Sequence, residues 1–312
     1  MEELSEKIAE IENFLKSRAD LNGYDLLDVR KQAELKYHRA VIRCKQGDQD
    51  VTVRYVIRAT EGDHASFANE VSILKALEFA GSSHQPKILD SNSEKLWVIQ
   101  TLVPGDKAGT SFTFSQDFID KVDPADLIPI FNGFFGAKPN LADRTFEAYD
   151  FYNKRYRHLF KPEWPNEDFA LLDRWKDFVD NSLKDYLKSN IGLSQADMNP
   201  GNIIYQENTV TGIIDWELAC YDSRWRDFAN VYVASTLYPD WQKRFVEKLN
   251  ISAAELPYFH FYVFYYLADA IINLNIMIRD DKSEVFRSGH MTKDEISHLL
   301  EACILDLKNI KL

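Results

Sequence analysis

Between Asn202 and Asp215 the chain has room for two short apolar strands and one polar turn, and for nothing else. Ile203-Ile204-Tyr205 and Val210-Thr211-Gly212-Ile213-Ile214 bracket the polar stretch Gln206 to Thr209, which suits a tight turn. A turn centred on Asn208-Thr209 predicts an antiparallel register: Tyr205 opposite Gly212, Ile204 opposite Ile213, Ile203 opposite Ile214, Asn202 opposite Asp215. Directly opposed residues lie roughly 4.5–5.5 Å apart at Cα. An amide oxygen and a carboxylate are therefore expected side by side at one end of a hairpin.

Such a pair suits Mg²⁺, a hard cation that takes a few protein oxygens and completes its shell with phosphate and water. Asp197 lies five residues before Asn202, on a loop held by Pro200-Gly201, and can approach the same place from another direction. One carboxylate would orient an attacking hydroxyl while Asn202 and Asp215 hold the metal. Any one of these residues alone reads as an ordinary turn or a solvated hairpin end. The three together, at these spacings, point to a site.

The rest of the chain falls into two parts. After an amphipathic N-terminal helix, Met1 to Arg18, with Ile8, Ile11 and Leu15 on one face, strands are expected over Tyr24–Val29, Tyr37–Lys45 and Val51–Ala59. A helix follows over Ser66–Phe79, then strands over Pro86–Leu89 and Lys95–Leu102, ended by Pro104-Gly105. That predicts a five-stranded sheet with one inserted helix over residues 1–104. Residues 105–312 read as mainly helical, interrupted by the strand-rich segment Leu193–Trp216. In Val53-Arg54-Tyr55-Val56-Ile57-Arg58, alternation puts Val56 and Arg58 on one face. Glu70 lies within the apolar stripe of the following helix, beside Phe67, Ile73 and Leu74, and a carboxylate there needs a partner. Arg58 is the expected one.

Composition limits the partners. At 312 residues, 45% hydrophobic and 28% charged, the chain can bury a substantial core. Acidic residues outnumber basic ones 49 to 37, which argues against a nucleic-acid surface and permits a cationic ligand. Cys44, Cys220 and Cys303 form no metal spacing or disulfide framework, so a reducing, cytoplasmic setting is expected. Leu256 to Ile278 is apolar enough to raise the question of a membrane span. Asp269 near its middle makes a buried core helix the expected reading, with no membrane partner.

These residues carry a family resemblance. The chain resembles the aminoglycoside phosphotransferase and choline kinase superfamily, relatives of the protein kinases. That family's catalytic loop reads His-Gly-Asp-x-x-x-x-Asn, and its hairpin ends in Ile-Asp-Trp-Glu. Here the matching segments are Gln195 to Asn202 and Ile214-Asp215-Trp216-Glu217. The resemblance implies Asp197 as the catalytic aspartate, Asn202 and Asp215 as metal ligands, and Asp227 as a brace for the loop. It implies Arg58 as the strand cation that holds phosphates, with Glu70 as its helix partner. Trp97 to Gly105 is similar to the family's last strand and hinge, which places Gln100 and Leu102 at the nucleotide.

What the resemblance implies overall is an α+β, two-lobed, protein-kinase-like fold: a small five-stranded antiparallel sheet lobe with one helix, and a larger, mainly helical lobe. The implied activity moves the γ-phosphate of ATP, with Mg²⁺, to a hydroxyl of a small molecule. Trp216, Glu217 and Asp269 are candidates for the acceptor pocket, where acidic and aromatic groups would suit a cationic amine. Two residues depart from the pattern. Gln195 replaces the family His but can both donate and accept, so it is expected to brace the loop. Ala196 replaces the Gly and is expected to cause no backbone strain. The same two departures motivate a competing reading, a kinase-like nucleotide sensor without efficient transfer.

Overall fold

The computed structural model describes residues 2–23, 39–56, 61–140, 175, 177–279 and 291–310. The expected strand Tyr24–Val29 and the cation Arg58 lie outside the described residues. The chain separates into two compact units: Met1–Pro104 with Pro139–Ala142 and Thr211–Leu218, and Gly105–Lys138 with Asp143–Val210 and Ala219–Leu312.

The first unit is built on a sheet. Helix α1 (Glu2–Ser17) precedes strands β1 (Leu21–Asn22), β2 (Arg39–Gln46) and β3 (Gln49–Val56); helix α2 (Glu61–Phe79) then leads to β4 (Ile88–Asn92) and β5 (Trp97–Thr101). The strands form one five-stranded sheet in the order β1-β2-β3-β5-β4, with every neighbouring pair antiparallel. Strand alternation sends Ala40, Ile42, Val51, Val53, Tyr55, Trp97 and Ile99 to one face, where Ile11 and Leu15 of α1 seal the core. Val56 and Val98 go to the other face, against Phe67 and Val71 of α2. Arg54 shares that second face, because it keeps the parity of Val56. Glu70 lies on α2, one turn from Phe67.

The second unit is mainly helical. Strand β6 (Asp106–Lys107) is followed by α3 (Gln116–Lys121) and α4 (Leu127–Phe135). A π-helical turn over Val179–Leu183 runs into α5 (Lys184–Leu187) and then β7 (Gly192–Ser194). A 3-10 turn at Pro200–Asn202 starts β8 (Ile203–Gln206), and the chain reverses into β9 (Thr209–Ile213), the last residues of which belong to the first unit. Strand β10 (Cys220–Asp222) and helices α6 (Trp225–Ala234), α7 (Pro239–Leu249), α8 (Leu256–Arg279) and α9 (Lys293–Asn309) complete the unit. β10 pairs antiparallel with β7, and β6 with β8.

The hairpin turn corrects an expectation. It occupies Glu207–Asn208, with Glu207 at φ 56°, one residue earlier than expected. A two-residue turn sets Gln206 opposite Thr209 and Tyr205 opposite Val210. The register expected from a turn at Asn208-Thr209 is therefore displaced by two residues, an even step that leaves each side chain on its face.

Two helices dominate the core of this unit. Nearly all of α6 is buried, including Arg226, Asp227 and Asn230, so its polar side chains must be satisfied inside the protein. Helix α8 is the one helix among the described residues long and apolar enough to cross a membrane. Two thirds of its most apolar stretch (67%) is buried, and Phe261, Tyr262, Leu267, Ile271 and Leu274 are core residues.

Candidate active site

In the first unit, Arg54 on β3 faces Glu70. Its guanidinium bonds to the Glu70 carboxylate, to Asp215 at 3.1 Å and to Glu217 at 3.5 Å. Glu70 has 5% of its surface exposed, and a carboxylate so buried needs charged or hydrogen-bonding partners. Burial acts to lower the pKa of Arg54, but Glu70 and Asp215 outweigh it and hold the guanidinium above its ordinary range. The expectation named Arg58, four positions further along the sequence and outside the described residues. Arg54 and Arg58 have the same parity, and alternation alone does not choose between them.

Asp215 sits at φ 62°, in the left-handed region that aspartate tolerates better than most residues. Trp216 is fully buried and donates its indole N–H to the carbonyl of Ile213 at 2.9 Å, so it is a core residue and not a pocket wall. Glu217 faces Arg54, and the two line a recess with Tyr55, Val56, Phe67, Glu70 and Val98. Gln100 on β5 is buried, and its side-chain carbonyl has no hydrogen-bond partner among the described residues. The backbone N–H of Leu102 is already donated to Asp50 at 3.1 Å.

In the second unit, the loop after β7 is organised around Asp227. That buried carboxylate accepts from the Ser194 hydroxyl at 2.9 Å, the backbone N–H of Gln195 at 2.9 Å and that of Ala196 at 3.0 Å. Burial raises the pKa of Asp227, and these donors act against it. Gln195, fully buried, accepts the backbone N–H of Asp197 on its side-chain oxygen at 2.8 Å. The residue that departs from the family pattern thus still orders the loop.

Ala196 does not meet its expectation. It sits at φ 68°, in the left-handed region, where a Cβ costs roughly 1–2 kcal/mol. The fold imposes a conformation there that the residue type resists.

Asp197 is fixed from two sides. The amide of Asn199 donates to its Oδ1 at 2.8 Å, and the amide of Asn202 donates to its Oδ2 at 3.1 Å and to its backbone carbonyl at 2.9 Å. Asn199 also caps the Pro200–Asn202 turn, accepting from Gly201 N–H at 2.9 Å. Sequence reading missed this residue, although Asn before Pro-Gly is a turn-starting signal. Asp197 opens onto a cleft of about 70 Å³ lined by Ser111, Phe112, Asn199, Asn230, Tyr266 and Asp269, among others. Asp269 accepts from Asn273 at 3.0 Å, one turn along α8.

Residues 31–262 match the Phosphotransferase enzyme family. The chain belongs to that family. Among curated proteins, none matches this phosphotransferase-family chain. Among solved structures, a choline/ethanolamine kinase family protein from Mesorhizobium loti is similar at 14% identity and TM-score 0.58, over 88% of this chain and 85% of that one. APH(2")-IIa, in a ternary complex with streptomycin and ATP, is similar at 15% identity and TM-score 0.59, over 92% of this chain and 97% of that one. Choline kinase LicA from Streptococcus pneumoniae is similar at 13% identity and TM-score 0.57, over 96% of this chain and 98% of that one. At these identities the likeness is one of fold. This phosphotransferase-family chain has the α+β, protein-kinase-like architecture, with a five-stranded antiparallel sheet and a helical region.

Proposed function

We propose that the protein transfers the γ-phosphate of Mg-ATP to a hydroxyl of a small, cationic acceptor. The observation that carries this reading is Asp197, a carboxylate whose two oxygens are held by Asn199 and Asn202 at the edge of an open cleft. Oriented in this way, it can accept a hydrogen bond from an acceptor hydroxyl and draw its proton away as the oxygen attacks phosphorus.

Residues that suit a nucleotide are present. Arg54, fixed by Glu70, is a cation on a strand that would bind the phosphates. The unpartnered carbonyl of Gln100 is a buried acceptor of the kind an exocyclic amine would satisfy. Asn202 and Asp215 carry the oxygen donors that magnesium takes. Among the described residues no three acidic, His or Cys side chains form a metal cluster by themselves, which is consistent with a metal that takes other ligands from phosphate and water. When bound, Mg-ATP supplies the phosphoryl group and the metal neutralises its charge. Asp269, in the cleft with Asp197, favours an acceptor that bears an amine, and the aminoglycoside and choline kinase neighbours support that choice.

The test is phosphate transfer from labelled ATP to a panel of aminoglycosides, choline, amino sugars and hydroxy amino acids. Wild-type protein should label at least one of them. Asp197→Asn should abolish labelling yet keep the Mg-ATP-induced rise in melting temperature. Full activity in that variant would remove the reading. An Mg-ATP shift with no labelling anywhere would instead favour a nucleotide sensor.

A further inference from the structure

We propose that Tyr266 and Arg226 are positioning residues that clamp the carbonyl of Ala196 and thereby hold Asp197 in place. The inference rests on the role given above to Asp197, and it accounts for an alanine in a conformation that favours glycine.

The geometry is specific. The Tyr266 hydroxyl donates to the Ala196 carbonyl at 3.4 Å, and an Arg226 N–H donates to the same oxygen at 3.4 Å. Arg226 also donates from Nε to the Tyr266 oxygen at 3.3 Å, which ties the two donors to each other. The other end of the guanidinium is anchored on Asp222 at 3.0 Å and on the Cys220 sulfur at 3.1 Å. Tyr262 donates to the remaining oxygen of Asp222. Asp222, Arg226 and Tyr262 are all buried.

Ala196 is therefore gripped on both sides of its backbone. Its N–H goes to Asp227 and its carbonyl to Tyr266 and Arg226. A left-handed alanine persists only where its surroundings over-determine it. The two peptide groups of Ala196 set the direction in which Asp197 leaves the loop. Burial raises the Tyr266 phenol well above its ordinary range, so it remains a donor at any working pH. Tyr266 also borders the cleft that holds Asp197.

The test is a pair of backgrounds. Tyr266→Phe removes the donor and keeps the ring; Arg226→Met would strand Asp222 as a buried charge and risks unfolding, so the tyrosine carries the experiment. Tyr266 and Tyr266→Phe are each compared in the Ala196 protein and in Ala196→Gly, because glycine adopts the left-handed conformation freely. Amide hydrogen exchange at Gln195 to Asp197 is the readout. In the alanine background, Tyr266→Phe should speed exchange at these amides about tenfold, with global stability little changed. In the glycine background the same substitution should change it by less than about twofold. Equal effects in the two backgrounds, or none in either, overturn the clamp.

Phosphate transfer by Asp197→Asn, measured beside these four proteins, separates this inference from the one beneath it. An exchange pattern as described, with Asp197→Asn fully active, preserves the clamp and refutes the role of Asp197. The reverse combination refutes the clamp alone.

Discussion

The carboxylate of Asp227 accepts the backbone N–H of Gln195 at 2.9 Å across 32 residues of chain. With Ser194 and Ala196 it satisfies three donors of the loop that presents Asp197. A helix that is nearly all buried thus supplies the acceptor that an irregular loop needs.

Removing that acceptor should be costly. Asp227→Ala leaves two buried N–H groups and a hydroxyl without partners, and we expect a loss of about 3 kcal/mol in urea unfolding. Asp227→Asn, which keeps one acceptor oxygen but turns an amide toward an N–H, should cost less. A loss under about 1 kcal/mol for the alanine variant would show that the loop reorganises around another acceptor.

Arg54 is expected to be the cation that matters for nucleotide. Arg54→Lys keeps the charge but cannot fork toward Glu70, Asp215 and Glu217 together. Mg-ATP binding, followed by thermal shift or calorimetry, should weaken about tenfold or more. The same measurement on Arg58→Lys should give a smaller change. The opposite ranking would return the role to Arg58.

Gly105 is irreplaceable for a local reason. It holds φ +124°, and a Cβ there would lie 2.2 Å from the carbonyl oxygen of Tyr205. Gly105→Ala should destabilise the protein by about 3 kcal/mol, read as a fall in melting temperature. An alanine variant of unchanged melting temperature would mean that β8 can move aside.

The buried Cys303 yields a pH dependence. Burial pushes its thiol up to about 12 from an ordinary value of 9.0. Below pH 9 both folded and unfolded thiols are protonated, and the contribution of the site to stability is complete. As pH rises from about 9 to about 12 the unfolded chain loses the proton first, so it binds fewer protons and stability falls. Cys303→Ala should flatten that alkaline decline. Iodoacetamide should leave Cys303 unmodified at pH 8 in the native state and label it after unfolding.

Period-two alternation was enough to predict most of the sheet, because one face of each strand must be apolar and the chain is covalently committed to the pattern. The hairpin before Asp215 was legible for the same reason. Its register was not, since it depended on which two of four polar residues formed the turn, and that choice lies within the small differences among turn types. Glu70 declared itself as a carboxylate on an apolar stripe. Its partner did not, because Arg54 and Arg58 have the same parity in the sequence and alternation does not choose between them.

The segment proposed to carry catalysis shows the same division. Residue types and spacing along Gln195 to Asn202 identified Asp197 and Asn202 as candidates, because such chemistry requires oxygen donors at short range along the chain. The left-handed Ala196 and the Tyr266–Arg226–Asp222 network required the tertiary structure. Their partners lie on β10, α6 and α8, brought to the loop by burial of apolar side chains. Local sequence carries propensity and period; it does not carry the position of a hydroxyl seventy residues away, which the packing of the core decides.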